Sequence, residues 1–277
     1  MLFDTFPNAH NGYGDFADLD SATVADASAF FDRYYAPGNA VLCLCGDLGV
    51  ESASELVERY FGGIPARPTP PHPAAWEPDL ASERRQSIVD SLATAPAVAL
   101  GWRVPDPVAD LDNYLPYVVL AEVLSEGDAS RLEQRLVRRD HLALEQSVYL
   151  GLFGDPFDSR DPVSLTTQII HPQQIRIDDV LTAVDEEIDR LATHGLDDGE
   201  LRRVNARIAT QLLREADSVH GRTLQFAAYE LVHHRAELLG ELPGRLAEVK
   251  PDDVAAAAAT LRPERRAVLE VLAGSAA

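Results

Sequence analysis

The sequence has little cysteine, little lysine and few positive charges. Its 277 residues include two cysteines, one lysine and 45 acidic against 24 basic side chains, which gives a net charge of −21. Two cysteines in so long a chain exclude the disulfide framework of a small secreted domain. A strongly acidic chain repels phosphate backbones and anionic lipid surfaces, so the composition disfavours nucleic acid and membranes as partners.

Long apolar runs are also missing. No stretch is apolar enough over sufficient length to span a membrane, and the first residues lack the basic start and apolar core of a signal peptide. We therefore expect a cytoplasmic protein. Cys43 and Cys45 lie two apart in an apolar run, and we interpret them as buried small hydrophobes rather than as a disulfide.

Two distant segments share one pattern, in which a helix is followed by a proline and then by an apolar strand. The first passes through Pro37 into Ala40-Val41-Leu42, and the second passes through Pro263 into Ala267-Val268-Leu269. Supersecondary order that repeats at long range indicates a duplicated unit. Much more patterned chain precedes the second proline than the first, so we expect the first copy to be incomplete.

A proline-rich stretch divides the chain. Residues 67–79 predict a linker between the C-terminal remnant of a first domain, 1–66, and a complete second domain, 80–277. In the second domain, strands precede a run of helices and one strand ends the chain, which predicts an α+β fold with a mixed or antiparallel sheet and helices packed on one face. Strand patterns include 40–45, 97–104 and 163–170, and helical patterns include 177–191, 197–216, 219–239 and 252–261.

Several short motifs follow one another along the chain. They are Phe31 with Tyr34 to Ala40, Gly46-Asp47, the stretch 60–65, Gly127 with Ser130-Arg131-Leu132, and Gly221-Arg222 with Tyr229. Together they resemble the second half of the insulinase/pitrilysin family of zinc metallopeptidases, in its bacterial branch related to the mitochondrial processing peptidase. The resemblance implies two similar α+β domains that face each other like a clamshell. We interpret Arg131 as a structural donor to loop carbonyls or to Asp128.

The resemblance also implies a zinc site on an inverted His-x-x-Glu-His motif. Two histidines four apart lie on one helix face and can bind one metal. No two of the eight histidines here are four apart, and we interpret them as surface or capping residues. We expect no catalytic residue, metal ligand or cofactor in this chain, and we expect zinc on a partner or on the N-terminal part that the first copy lacks.

Arg222 and Tyr229 match an arginine and a tyrosine that, by the resemblance, close over the substrate. Seven positions are nearly two helical turns, so the two side chains share one helix face about 10 Å apart along the axis. A phenol can donate to an oxyanion, and a guanidinium can hold a backbone carbonyl. We predict that this pair binds substrate and the oxyanion. The alternative interpretation, a solvated helix charge and a core aromatic, stays open.

Three hypotheses about function follow. In the first, the chain is the non-catalytic, substrate-binding half of an insulinase-like zinc metallopeptidase and is inactive alone. It would bind a peptide and complete a peptide-cleaving site on a zinc-bearing homologous subunit, as a heterodimer. In the second, it is an inactive scaffold or interaction protein. In the third, it is a truncated remnant of such a peptidase, whose exposed apolar surface would make it aggregate or need a partner.

Overall fold

A computed structural model describes residues 1–9, 14–71, 77–151 and 154–274. Its helices are α1 (Phe6–Ala9), α2 (Phe16–Ser21), α3 (Val24–Tyr34), α4 (Val50–Phe61), α5 (Leu111–Ser125), α6 (Ile177–His194), α7 (Asp198–Glu215), α8 (Val219–His233), α9 (Leu238–Glu248) and α10 (Pro251–Ala258). Its strands are β1 (Arg84–Asp90), β2 (Ala97–Val104), β3 (Glu145–Leu150), β4 (Val163–Ile170) and β5 (Arg266–Ala273). A π-helical segment lies at Glu133–Arg139.

The chain forms two compact units. The sheet unit comprises Met1–Thr5, Trp76–Thr210 and Leu242–Ala277, and the helical unit comprises Phe6–Ala75 and Gln211–Glu241. Each unit combines stretches that are distant in sequence, whereas the predicted domains are continuous. The predicted domain boundaries stay predictions, and residues 72–76 of the predicted linker lie outside the described residues.

The sheet unit is built on a five-stranded mixed sheet in the order β1-β5-β2-β4-β3. Strand β5 runs parallel to β1 and antiparallel to β2, and the remaining neighbours are antiparallel. Along β2 every second residue is buried, from Val98 to Val104, because successive side chains point to opposite faces of a strand. The predicted α+β fold with a mixed sheet is confirmed, and β2 and β4 have the predicted bounds.

Helix α5 forms much of the core of the sheet unit. Residues on all of its sides are buried, among them Tyr114, Leu115, Val119 and Leu120, as expected for a helix that is apolar all round. It contacts α10 and β3, and α10 also contacts α6. Within the described chain, no helix combines the length and the apolar character needed to cross a membrane.

Two sequence predictions are wrong in the helical unit. Residues 40–45 were expected to form a strand, but they pair with no other strand among the described residues. A strand is stabilised by hydrogen bonds to a neighbour, and the described residues of this unit supply none. The helix predicted over 219–239 is interrupted, since His234 follows α8 with a left-handed φ of 54°.

Gly195 ends α6 with a φ of 65° and a ψ of −161°, a conformation that is essentially restricted to glycine. We expect Gly195→Ala to lower the free energy of unfolding by about 1–3 kcal/mol through backbone strain. The strain is the cause rather than a clash, because the nearest atom to an added Cβ, the Pro251 carbonyl oxygen, would be 3.8 Å away.

Gly244 provides the matched control for that substitution. It lies inside α9, and an added Cβ would meet nothing within 4 Å. Gly244→Ala should therefore raise the free energy of unfolding by about 0.5–1 kcal/mol. Urea unfolding of both variants measures the difference, and effects of the same sign would contradict the assignment of strain to Gly195.

Candidate functional site

Arg222 lies in the first turn of α8, and its side chain is exposed. The helix begins after Ser218, whose hydroxyl accepts a hydrogen bond from the Gly221 N–H at 2.9 Å. The Arg222 Nε donates to the Ala216 carbonyl at 3.0 Å, and Nη2 donates to the Asp217 carbonyl at 3.2 Å. These bonds hold the guanidinium beside the end of α7 and use two of its five N–H groups.

Gly221 allows this close connection between α7 and α8. A Cβ at this position would lie 1.9 Å from the Glu215 carbonyl oxygen, far inside any contact distance. A side chain here would push the start of α8 away from the end of α7. The glycine therefore supports the position of Arg222 through local packing.

Tyr229 is buried, with 3% of its surface exposed. Its ring meets the ring of His233 edge-on, with 6.0 Å between centroids and 88° between planes. The structure thus places Arg222 at the surface and Tyr229 in the interior, although both lie on α8 seven residues apart. Their predicted roles toward substrate stay predictions.

Arg222 borders an open recess of about 610 Å³ in the helical unit. The recess is lined mainly by small and apolar side chains of residues 44–46 and of α4 and the loop before it, namely Leu44, Cys45, Leu48, Val50, Ala53 and Val57. Of the described residues, Glu58 is the one carboxylate on its wall. An apolar recess with an accessible guanidinium can take apolar side chains of a peptide and one backbone carbonyl.

A second recess of about 940 Å³, which we call the apolar groove, lies in the same unit. It is lined by aromatic residues in and after α3, by the extended residues 40–42 and by α4, including Phe30, Phe31, Tyr34, Tyr35, Val41, Leu42 and Phe61. Most of these large apolar side chains are exposed. Exposed apolar surface on this scale is typical of an interaction site. The sequence pattern indicated the apolar sides of α3 and α4, but did not show that they border one groove.

Arg131 binds Glu200 rather than the predicted partners. Its Nε and Nη2 donate to the two carboxylate oxygens of Glu200 at 3.0 and 2.6 Å, a two-pronged geometry that only arginine provides. Asp128 instead pairs with Arg138 at 2.9 Å. The prediction that Arg131 donates to Asp128 or to loop carbonyls is therefore wrong. Its actual partner, Glu200, lies 69 residues away in sequence and becomes a neighbour only in the folded chain.

A buried ion network in the sheet unit was not predicted. Arg266, which is 2% exposed, donates from Nε to Glu83 at 2.6 Å and from Nη1 to Asp185 at 2.5 Å. Its guanidinium lies 5.8 Å from the centre of the Trp102 ring. Burial raises the pKa of Asp185 although Arg266 opposes it. Burial acts the same way on Glu83, but hydrogen bonds from Arg266 and Arg85 hold its pKa below the usual value.

The described residues do not fit a zinc site. Among them, no three His, Cys, Asp or Glu side chains lie close enough together to hold a metal ion. His10 and His72 lie outside the described residues. The Nδ1 of the buried His171 is bonded to the Pro172 carbonyl at 3.1 Å.

Cys43 and Cys45 are free thiols with sulfur atoms 3.9 Å apart. That separation confirms that they point the same way and form no disulfide, but the prediction that they are buried is wrong, since both side chains are only half-buried. Burial and the neighbouring Cys45 raise the pKa of the Cys43 thiol, which disfavours the thiolate that binds metals or attacks electrophiles.

Comparisons with known proteins agree on one family. A family model described as the peptidase M16 inactive domain matches residues 21–208. The zinc protease PqqE of Helicobacter pylori is 30% identical over 154 residues, covering 50% of this chain and 33% of that protein. The uncharacterized zinc protease SCO5738 of Streptomyces coelicolor is 25% identical over 272 residues, covering 90% of this chain and 56% of that protein.

Solved structures show the same fold. The crystal structure of a protease from Helicobacter pylori superposes with a TM-score of 0.85 at 19% identity, covering 98% of this chain and 64% of that chain. The chain spans about a third of one curated relative and about half of the other.

Proposed function

The chain belongs to the peptidase M16 inactive domain family, and from this premise we propose that it is the substrate-binding half of a zinc peptidase. It binds a peptide and completes a peptide-cleaving site that a zinc-bearing homologous subunit carries. The observation that carries the proposal is Arg222, an accessible guanidinium at the border of an apolar recess. The similarity to zinc proteases from two bacteria supports the assignment to peptide chemistry.

Each candidate residue has a distinct role in this proposal. The N–H groups of Arg222 that are not bonded to the end of α7 hold a backbone carbonyl of the substrate. Tyr229 donates its phenol proton in a hydrogen bond to the oxyanion that forms at the attacked carbonyl.

A reconstitution experiment tests the proposal. The purified chain is mixed with an M16 polypeptide from the same organism that carries His-x-x-Glu-His, and the hydrolysis of a set of internally quenched peptides is followed. We expect the chain alone to be inactive and the mixture to cleave in a zinc-dependent manner. The matched control replaces the glutamate of that motif in the partner by glutamine and should cleave nothing.

The zinc content of the chain provides an independent readout. After loading with zinc and desalting, we expect far less than one zinc per chain, because the described residues form no suitable cluster. One tightly held zinc per chain would contradict the division of roles. Absence of cleavage with every M16 polypeptide of the organism would contradict the peptide-cleaving partnership.

A scaffold role is the second candidate, and the exposed side chains of the apolar groove favour it. A scaffold associates stably with other subunits through such a surface and needs no contact with a scissile peptide. This candidate predicts a stable complex without cleavage in the reconstitution, and no effect of substitutions at Arg222 on the assembly.

A further inference from the structure

Residues 40–45 are apolar on both faces, and the part of the chain that the structure describes places no strand beside them. Leu42 and Leu44 are 53% and 51% exposed, and Val41 is also exposed. Within the described chain, residues 41–45 share no backbone hydrogen bond with another segment. A segment that is apolar on both faces is typical of a strand buried in the middle of a sheet.

The sheet unit contains the matching strand in its complete setting. Val268 of β5 follows a helix and Pro263, as Val41 follows α3 and Pro37. Val268 lies between Arg85 of the parallel neighbour β1 and Leu100 of the antiparallel neighbour β2. It is 1% exposed, whereas Val41 is 37% exposed. The difference between the two copies is the presence of the two neighbouring strands.

The helices beside residues 40–45 also have apolar sides that no other described segment buries. Neither α3 nor α4 has a buried residue, although apolar side chains are concentrated on one side of each helix. Phe30 and Phe31 of α3 and Tyr60 and Phe61 of α4 are all exposed. By contrast, α10, which precedes β5, buries Val254, Ala257 and Ala258.

We propose that residues 40–45 and the apolar groove bind the strand-bearing front part of an M16 α+β unit on the zinc-bearing subunit. The occupant supplies one strand parallel and one antiparallel to residues 40–45, as β1 and β2 do for β5, and covers α3 and α4. This rests on the proposed function for the identity of the partner. The relatives are longer than the matched region, so proteins of this family contain further chain that can provide these strands.

A second copy of this chain fits the surface less well. It would offer only the same extended segment, and pairing of two such segments leaves one edge of each without a neighbour. It would also bring together two chains that each carry a net charge of −21, and like charges of that size oppose association.

Site-specific cross-linking tests the docking surface in the organism. Leu42 and Leu44 are replaced one at a time by p-benzoylphenylalanine, and the products are identified by mass spectrometry after irradiation. Leu92, which is 87% exposed in a turn after β1, is the control position. We expect cross-links from positions 42 and 44, and none from position 92, to a polypeptide that contains His-x-x-Glu-His. A product of two copies, a partner without that motif, or no product would each overturn the proposal.

Hydrogen exchange and one substitution provide a second readout with the identified zinc-bearing subunit. The amides of residues 41–45 should exchange rapidly in the chain alone and at least about tenfold more slowly in the complex. Leu42→Asp should weaken binding by at least about tenfold by placing a charge in an apolar interface, and Leu92→Asp should leave it unchanged. The proposed docking surface would be refuted if the amides of residues 41–45 exchanged equally fast with and without the partner. Equal affinities of Leu42→Asp and Leu92→Asp for the partner would refute it as well.

The two proposals fail in different ways. A zinc-bearing partner that cross-links at positions 42 and 44 but cleaves no peptide supports the docking surface and contradicts the proposed function. If the pair cleaves peptides while the amides of residues 41–45 exchange as rapidly in the complex as in the chain alone, the result supports the proposed function and contradicts the docking surface.

Discussion

Tyr229→Phe is expected to lower the kcat of the reconstituted pair by about 10²–10³-fold, the usual effect of removing one oxyanion donor. The phenylalanine ring keeps the packing against His233, so the fold should survive with a loss of at most about 0.5–1.5 kcal/mol, the usual contribution of one hydrogen bond. Steady-state kinetics and urea unfolding on the same preparation separate the two effects. A loss of stability with unchanged kcat would assign Tyr229 to the core alone.

The companion substitution, Arg222→Ala, should act mainly on substrate binding. A guanidinium that holds a backbone carbonyl in both ground and transition states lowers KM, so we expect KM to rise about tenfold, roughly the value of one charge-assisted hydrogen bond. Arg214→Ala is the control, because Arg214 is an exposed arginine in the last turn of α7. Equal KM values for the two variants would exclude Arg222 from the substrate contact.

Arg266→Ala is expected to lower the free energy of unfolding of the sheet unit by about 3–5 kcal/mol. The substitution leaves Asp185 and Glu83 without their buried counter-ion and removes the contact with Trp102. For a unit of this size the midpoint of thermal unfolding should fall by about 6–20 °C. Arg265→Ala is the control, since its neighbour Arg265 is exposed and exposed substitutions usually cost about 0.5 kcal/mol or less.

A triple variant shows whether the charge or the packing matters. Arg266→Met combined with Asp185→Leu and Glu83→Leu removes all three charges together, and replacement of a whole buried network by apolar groups is often close to neutral. We expect this variant to recover most of the stability that Arg266→Ala loses. Similar melting temperatures for both variants would show that the ion pairs themselves are not the source of the effect.

Local pattern was sufficient to predict much of the sheet unit. The alternation in residues 97–104 and 163–170 predicted β2 and β4 with correct bounds, because one face of each strand packs on the core. The helical period of residues 177–191 predicted α6 for the same physical reason. The interruption at His234 was not predicted, since a single left-handed residue leaves no periodic signal.

The features that were not predicted depend on partners that are remote in sequence. Residues 40–45 have a strand's pattern, but a strand also requires hydrogen-bonding neighbours, and those are not a local property. Arg266 was not singled out because its burial depends on Glu83, which lies 183 residues earlier. In the candidate site, helical spacing put Arg222 and Tyr229 on the same helix face, but their different exposure is set by the elements around α8.

The position of β5 between β1 and β2 has a consequence for biosynthesis. Of the five strands, β5 is synthesised last, and it is the strand that joins β1 to β2. The residues of β1 pair with residues about 180 positions later in the chain. On the ribosome, β1 must therefore wait until about 180 further residues have been made, and contacts of such high sequence separation slow folding. Until β5 arrives, the nascent chain presents the edges of β1 and β2, which is the interval in which a chaperone would act.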